Sequence, residues 1–352
     1  WKAVNMMRCF QGDRKMKHGK KCKIDKYTLI LSVLLLLLTG LVIAWELPQK
    51  EDRYIHVGIA VYDRSDTFME SYIRELEDKI GQTRILGKKV SYEIYDAEGI
   101  GSRQEKQLQE MYAQDYDVML VNLVEPASAA GVLTDAKDAD IPVILFNREI
   151  DEKDLKISKN VWYVGTDARA AGVMQGKLLK DLWKKQSRIL DWNGNGMLDY
   201  VLVEGEESHF DAIRRTSGFL ETGAELPLNQ KGNILAEWKR ELAYEKFAAL
   251  DDEVVQNVEA VICNNDDMAL GVYDYYKEKN LKLPVIIGIN NSEEMHQKIM
   301  SGEMYGTIDN KMEDQGMEIC RLMQAILKKD TGSYQKVWYS TPKAIVKAEG
   351  TE

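Results

Sequence analysis

From Arg53 onward the chain repeats one pattern, a short run of β-branched or aromatic residues followed by a longer amphipathic segment. Such alternation commits a chain to βα units around parallel sheets, because a parallel neighbour is reached only through a crossover long enough to cover the sheet's face. Strands are expected at YIHVGIAVY, KVSYEIYDA, DVMLVNL, PVILFN, VWYVGT, DYVLVEG, NILAEW, EAVICNN, PVIIGIN and YGTIDN, with KAIV as a last pairing candidate. Between them lie helical segments such as RAAGVMQGKLLKDLWKKQ and SRQEKQLQEMYAQ, the latter opening with Ser102 and Glu105 at capping-box spacing. Ten strands exceed one doubly wound sheet, so two α/β lobes of about five or six strands each are expected. The break is expected at Asn147–Lys153, where the hydrophilic stretch REIDEKDLKISKN begins.

Ahead of these units, between Lys26 and Glu46, runs YTLILSVLLLLLTGLVIAW, residues 27–45, without a charge. At about 1.5 Å per residue it nearly matches a hydrocarbon core of about 30 Å, so one transmembrane helix or signal segment is expected here. Lys15, Lys17, Lys20, Lys21, Lys23 and Lys26 precede it, which by the positive-inside rule keeps residues 1–26 as a basic cytoplasmic head and exports the rest. Val42-Ile43-Ala44 loosely fits a cleavage site, but the run is longer than most signal h-regions, and an uncleaved anchor is the favoured reading. The formal charge of −10 divides accordingly: the head holds 9 Lys/Arg and 2 Asp/Glu, the remainder 38 and 55, or −17. A body so acidic repels phosphate backbones, which argues against a nucleic-acid partner. Only Cys263 and Cys320 follow the apolar run, so no disulfide framework is expected, and neither is close enough to the run for lipid attachment.

In open α/β sheets the ligand sits beyond the carboxyl ends of the strands. The residues found there are Asp66 and Phe68, Asn122, then His209, Asp211 and Arg215, then Trp238, Asn265, Asn290 and Asn310. Amides and carboxylates at so many strand ends suit a ligand with many hydroxyls, each of which donates and accepts, and Phe68 and Trp238 offer flat faces to the C–H side of a pyranose. Taken singly, His209 reads as a satisfied histidine, Trp238 as core, and Asp211 with Arg215 as an i,i+4 ion pair; their conjunction points to a sugar.

The segments VGIAVYDRSDTFM, VNLVEPASAAG, YVGTD, HFDAIRR, CNNDDMALG and GTIDN, in this order, resemble the periplasmic galactose/glucose-binding protein family over about residues 53–348. The resemblance implies a type I periplasmic-binding fold, two lobes joined by a hinge of three crossovers, with 53–148 and about 311–338 in the N-terminal lobe and 149–310 and about 339–350 in the C-terminal lobe. It implies closure on a hexose, D-galactose or D-glucose, for delivery to an ABC transporter permease and in some members to a chemoreceptor. It also implies polar sugar contacts at Asp66, Asn122, His209, Asp211, Arg215, Asn265 and Asn310 and stacking by Phe68 and Trp238. Asn290 departs from the pattern, standing where that family usually has an aspartate.

Asp191, Asn193, Asn195 and Asp199 place side-chain oxygens at positions 1, 3, 5 and 9 of an EF-hand-like loop, with Gly196 at position 6 and the Met197 carbonyl at position 7. Position 12 is Leu202, so the closing glutamate is missing; the resemblance implies that Glu259 supplies it and that the loop holds a structural Ca2+.

Binding without chemistry is the favoured reading: an extracytoplasmic receptor, tethered to the membrane, that captures a hexose for a permease. The alternative is a membrane-tethered sugar sensor presenting its closed form to a signalling partner such as a sensor kinase. A glycosidase would use Asp66 and Asp211 as paired carboxylates, but no nucleophile motif accompanies them, and the apolar run occupies the place where a related repressor would carry its DNA-binding domain.

Overall fold

The computed structural model describes Tyr27, Leu35 and residues 54–347. The apolar segment 27–45 therefore lies outside the described residues apart from Tyr27 and Leu35. Among the described residues no helix is long and apolar enough to cross a membrane.

The strands are β1 (Tyr54–Val61), β2 (Arg84–Ile85), β3 (Lys88–Asp96), β4 (Val118–Val121), β5 (Val143–Phe146), β6 (Val161–Thr166), β7 (Leu198–Glu204), β8 (Leu228–Leu235), β9 (Ala260–Cys263), β10 (Val285–Ile289), β11 (Gly306–Asp309), β12 (Val337–Ser340) and β13 (Lys343–Val346). They form two sheets, ordered β12-β6-β5-β4-β1-β3-β2 and β13-β11-β10-β9-β7-β8. Each sheet is parallel except at one edge, where β2 pairs antiparallel with β3 and β13 with β11. The central strands β4, β5, β6 and β9 are buried at every position. That is the mark of parallel strands covered by helices on both faces, and it explains why they read as continuous apolar runs.

The covering helices are α1 (Thr67–Gln82), α2 (Gly101–Tyr112), α3 (Ala129–Asp138), α4 (Ala168–Leu190), α5 (Phe210–Gly223), α6 (Arg240–Ala248), α7 (Asp252–Asn257), α8 (Asp266–Glu278), α9 (Glu293–Ser301) and α10 (Met312–Leu327). In the first lobe Ile73, Leu76 and Ile80 of α1 and Ile319 and Met323 of α10 pack with Val57, Ile59 and Phe146 on one face of the sheet. Leu108, Met111 and Leu133 pack with Met119, Val121 and Leu145 on the other. The second lobe repeats the arrangement with cores around Phe247, Met268 and Tyr276 and around Leu179, Phe219 and Leu202.

Three details differ from the sequence expectation. The lobe exchange lies after Thr166, because β6 hydrogen-bonds in register to β5 and belongs to the first sheet; 147–153 is only its βα connection. β12 was not foreseen, and β2 is a two-residue edge. The Ser102–Glu105 capping box does not form: α2 begins at Gly101, its N-cap is Ile100, and no side chain caps it.

The chain crosses between lobes after Thr166, at Asn310–Lys311 and after Ser340, and one buried polar knot ties the three crossings together. Thr166 Oγ1 and Ser340 Oγ both donate to the Asn310 carbonyl, at 2.9 and 2.7 Å. Gln315 Nε2 donates to the same carbonyl and to Thr166 Oγ1, both at 2.8 Å.

Candidate functional site

The carboxyl ends of the two sheets face each other across a narrow cleft lined by Tyr62, Asp66, Phe68, Asn147, Arg148, His209, Asp211, Arg215, Trp238, Asn265 and Asn290, with an internal volume of about 40 Å³. Three of the lining residues are helix caps. Asp66 accepts from Met69 N at 2.7 Å to start α1, His209 Nδ1 from Asp211 N at 3.2 Å to start α5, and Asn265 from Met268 N at 2.9 Å to start α8. The residue that ends each strand's turn thus satisfies orphan amides of the next helix, and capping fixes its side chain at the cleft edge.

That cap also settles the state of His209. Its Nδ1 accepts the hydrogen bond from Asp211 N, so the neutral ring carries its hydrogen on Nε2. Nε2 is buried without a hydrogen-bond partner. Burial, then the charges of Arg148 and Arg215, depress the imidazole to about 2, so it stays neutral. The 3.7 Å approach of Nδ1 to Asp211 Oδ2 is therefore not an ion pair. Arg215 Nη1 donates to the Asn264 carbonyl at 2.6 Å, while its Nε, also buried, has no partner. Two donors with nothing to donate to stand in one cleft, and a buried unsatisfied donor costs about 1–3 kcal/mol.

Trp238, whose φ is 67°, lies edge-on to His209 at 5.2 Å between ring centroids and beneath Arg215 at 5.5 Å. Gly205 makes room for it: a Cβ there would lie 2.3 Å from the indole. Burial raises Asp66 and Asp211 above the ordinary carboxylate range, opposed at Asp66 by a hydrogen bond from Tyr62 and at Asp211 by Arg215. Of the lining charges, Asp66 and Asp211 balance Arg148 and Arg215.

Asn290 lines the cleft, but Asn310 does not: its Nδ2 donates to Asn290 Oδ1 at 2.9 Å, which turns the Asn290 amino group outward. Asn122 is not a lining residue either. It is fully buried, with Oδ1 accepting from Tyr62 N at 3.3 Å and Nδ2 donating to the Phe146 carbonyl at 2.9 Å, so both ends of its amide stitch β1, β4 and β5 together.

Sequence reasoning missed Tyr62, Asn147 and Arg148. Arg148 lies 3.8 Å from the Tyr62 ring centroid and donates to the Val124 carbonyl at 2.7 Å and to Glu206 at 3.1 Å. Glu206 accepts from Trp238 Nε1 as well, at 3.1 Å, so it joins an arginine of the first lobe to the stacking indole of the second. Two more contacts bridge the lobes: Thr67 Oγ1 donates to Asp267 at 2.5 Å, and Arg214 pairs with Glu149, which also accepts from Tyr339. The lobes are closed on each other.

In the 191–199 loop the backbone follows the expected turns. Gly196 N donates to Asp191 Oδ2, Asn195 N to Asn193 Oδ1 and Met197 N to Asn195 Oδ1. Glu259, fully buried, accepts from Asp199 N at 2.9 Å and Asn193 N at 3.3 Å, which ties it to two amides of the loop. Asn193 and Asn195 turn their amino groups onto Asp199 Oδ2 at 3.0 and 3.3 Å. Among the described residues no three carboxylate, histidine or cysteine side chains converge as a metal cluster. Asp191 Oδ1 is nevertheless buried and unpartnered, and burial raises Glu259.

Residues 57–331 match the family described as periplasmic binding protein domain. The chain is 31% identical over 290 residues to the D-galactose/methyl-galactoside binding periplasmic protein MglB of Haemophilus influenzae, spanning 80% of this chain and 84% of that one. It is 27% identical to the galactofuranose-binding protein YtfQ of Escherichia coli, over 68% and 74% of the two chains. Among solved structures, a Caulobacter myo-inositol binding protein superposes with a TM-score of 0.70 at 24% identity, covering 85% of this chain and 95% of that one.

Proposed function

Because the chain belongs to the periplasmic binding protein family, we propose that its two lobes close on a hexose, D-galactose or D-glucose, and hand it to an ABC transporter. The protein is a receptor and not an enzyme, as members of this family are. The observation that carries the sugar reading is the pair of buried, unpartnered donors, His209 Nε2 and Arg215 Nε, beside Trp238. A sugar hydroxyl satisfies each of them, and the even balance of lining charges favours an uncharged ligand over a sugar acid or phosphate. Asp66 and Asp211 are held by a helix amide and a neighbouring arginine, which suits acceptors of hydroxyl protons. Calorimetry on residues 46–352 tests the reading: heat with galactose or glucose and none with glucuronate is expected. No heat with any aldohexose at protein concentrations suited to micromolar affinity would overturn it.

Two further parts belong to the proposal. The apolar run 27–45, behind its lysines, tethers the receptor to the outer face of the cell membrane; its sequence supports this, and deleting 1–45 is expected to move the protein from the membrane to the soluble fraction. The 191–199 loop holds a structural Ca2+ through Asp191, Asn193, Asn195, the Met197 carbonyl, Asp199 and Glu259. Support comes from the unpartnered Asp191 Oδ1 and from buried Glu259, whose carboxyl is raised by burial and further by the charge of buried Asp199. A bound cation would offset their burial and turn the two asparagine oxygens inward.

A further inference from the structure

Asp266 is 1% exposed, sits in the first turn of α8 beside Asn265, and does not line the cleft. Its two oxygens reach into the turn that follows β10. Oδ2 accepts from Ser292 N at 2.7 Å, and Oδ1 accepts the hydroxyl of Thr307 at 2.6 Å. Thr307 Oγ1 in turn accepts from Asn291 N at 3.4 Å. Strand β10 carries Gly288 where the carboxylate presses against it, since a Cβ there would lie 2.2 Å from Asp266 Oδ1. The turn needs this support: Asn290 and Asn291 have φ of 132° and 60°, two consecutive side-chain-bearing residues in a costly region, and such backbone persists only where its surroundings hold it. Asn290 is also the residue whose amino group faces the cleft, turned there by Asn310.

We propose that Asp266 is a positioning residue for the ligand-facing amide of Asn290, holding the 290–292 turn as a double acceptor through Ser292 and Thr307. The inference rests on the sugar-receptor reading for its consequence, and on geometry alone for the turn. A neutral acid accepts more weakly than a carboxylate and must place its own proton between an oxygen and Thr307, so protonation loosens the turn. Burial pushes Asp266 up to about 6, against the opposing bonds from Thr307 and Ser292. The ionisable groups around it are Asp267 on its own helix, Arg215 from α5 and Cys263 at the end of β9. His296 of α9 bonds the same turn, Nδ1 lying 2.9 Å from Asn291 Oδ1. The folded value exceeds the ordinary 3.8, so this group adds fold stability as pH falls through about 6. Affinity is expected to move the other way, a divergence that a merely structural carboxylate would not give.

The test uses the protein in a His296→Gln background, so that Asp266 dominates titration at the turn. In the ligand-free protein, the nuclear magnetic resonance signals of the Asn290 and Asn291 amides are expected to shift with one midpoint near 6. Asp266→Asn should abolish that titration, and Thr307→Val, which keeps the carboxylate and removes one donor, should displace the same signals at neutral pH. Galactose and glucose affinity in Asp266→Asn should be weaker by about five- to tenfold at neutral pH and close to the parent's acidic value, with melting temperature preserved. Amide signals that ignore the titration of Asp266, or an Asp266→Asn variant with the parent's affinity and pH profile, would overturn the inference. A parent that binds no sugar would defeat the sugar reading alone, while the amide signals still decide the turn.

Discussion

Arg215 and Trp238 show what a single side chain is asked to do in this cleft. Each is held by protein on one side, the guanidinium by the Asn264 carbonyl and the indole by Glu206, and each leaves one surface free toward the cleft. Trp238→Ala and Asp211→Ala are therefore expected to weaken hexose binding by tenfold or more, about 1.4 kcal/mol, while shifting the melting temperature little; calorimetry and thermal unfolding read the two effects separately. Asn290→Asp should strengthen binding roughly tenfold, since a hydrogen bond to a charged acceptor is worth about 1.4 kcal/mol more than one from the neutral amino group it replaces, while Asn310 Nδ2 keeps its partner. An unchanged affinity would show a pocket shaped around the amide. His209 adds a pH signature. Its folded value of about 2 lies below the ordinary 6.5, so the unfolded chain takes up the proton first and stability falls as pH drops below about 6.5. His209→Asn should remove that part of the acid sensitivity, as denaturant midpoints between neutral and mildly acidic pH would reveal. At this scale the sequence was legible where a side chain's direction follows from capping, as at Asp66, His209 and Asn265. It misled at Asn122, a strand-end amide like the others whose direction is set by the Phe146 carbonyl, 24 residues further along the chain. Arg148 was hidden because a charged residue after a strand looks the same whether it enters the cleft or the solvent.

Elements were easier to read. Parallel strands covered on both faces announce themselves as apolar runs, and β1, β4, β5, β6, β7, β9 and β10 all did. The strands that escaped are edges. β12 is half-buried over most of its four residues and follows the polar Gln335-Lys336, so no burial pattern betrays it. The 191–199 loop is an element of another kind, legible from the spacing of its oxygens because backbone turns impose that spacing with or without an ion. If Ca2+ binds there, stability rises as RT ln(1 + [L]/Kd). Chelator is expected to lower the melting temperature of the parent, and Glu259→Gln to lower it in calcium while blunting the response to chelator. Sugar affinity should change less, since the loop lies before β7 and the cleft begins after it. Identical melting curves with and without chelator would leave the loop a plain hydrogen-bonded turn.

Across the whole molecule, closure depends on contacts that are few and polar. Thr67 with Asp267, Arg148 with Glu206 and Arg214 with Glu149 span the cleft, so opening exposes charged groups to water at little cost and sugar must supply the bias toward the closed form. Glu206→Gln is expected to shift the ligand-free protein toward open conformations, seen as a larger radius of gyration in X-ray scattering that sugar reverses. The knot of Thr166, Asn310, Gln315 and Ser340 lies at the pivot, and Gln315→Leu should free the crossings without touching the cleft. The same crossings have a consequence for how the chain is made. The edge of the first sheet is closed by residues 337–340 and that of the second by residues 343–346, each later in the chain than every other strand of its sheet. A nascent chain halted at residue 335 would expose the β6 and β11 edges together, with neither lobe complete. Both lobes therefore wait for the same short stretch of chain, which ties their completion together in time.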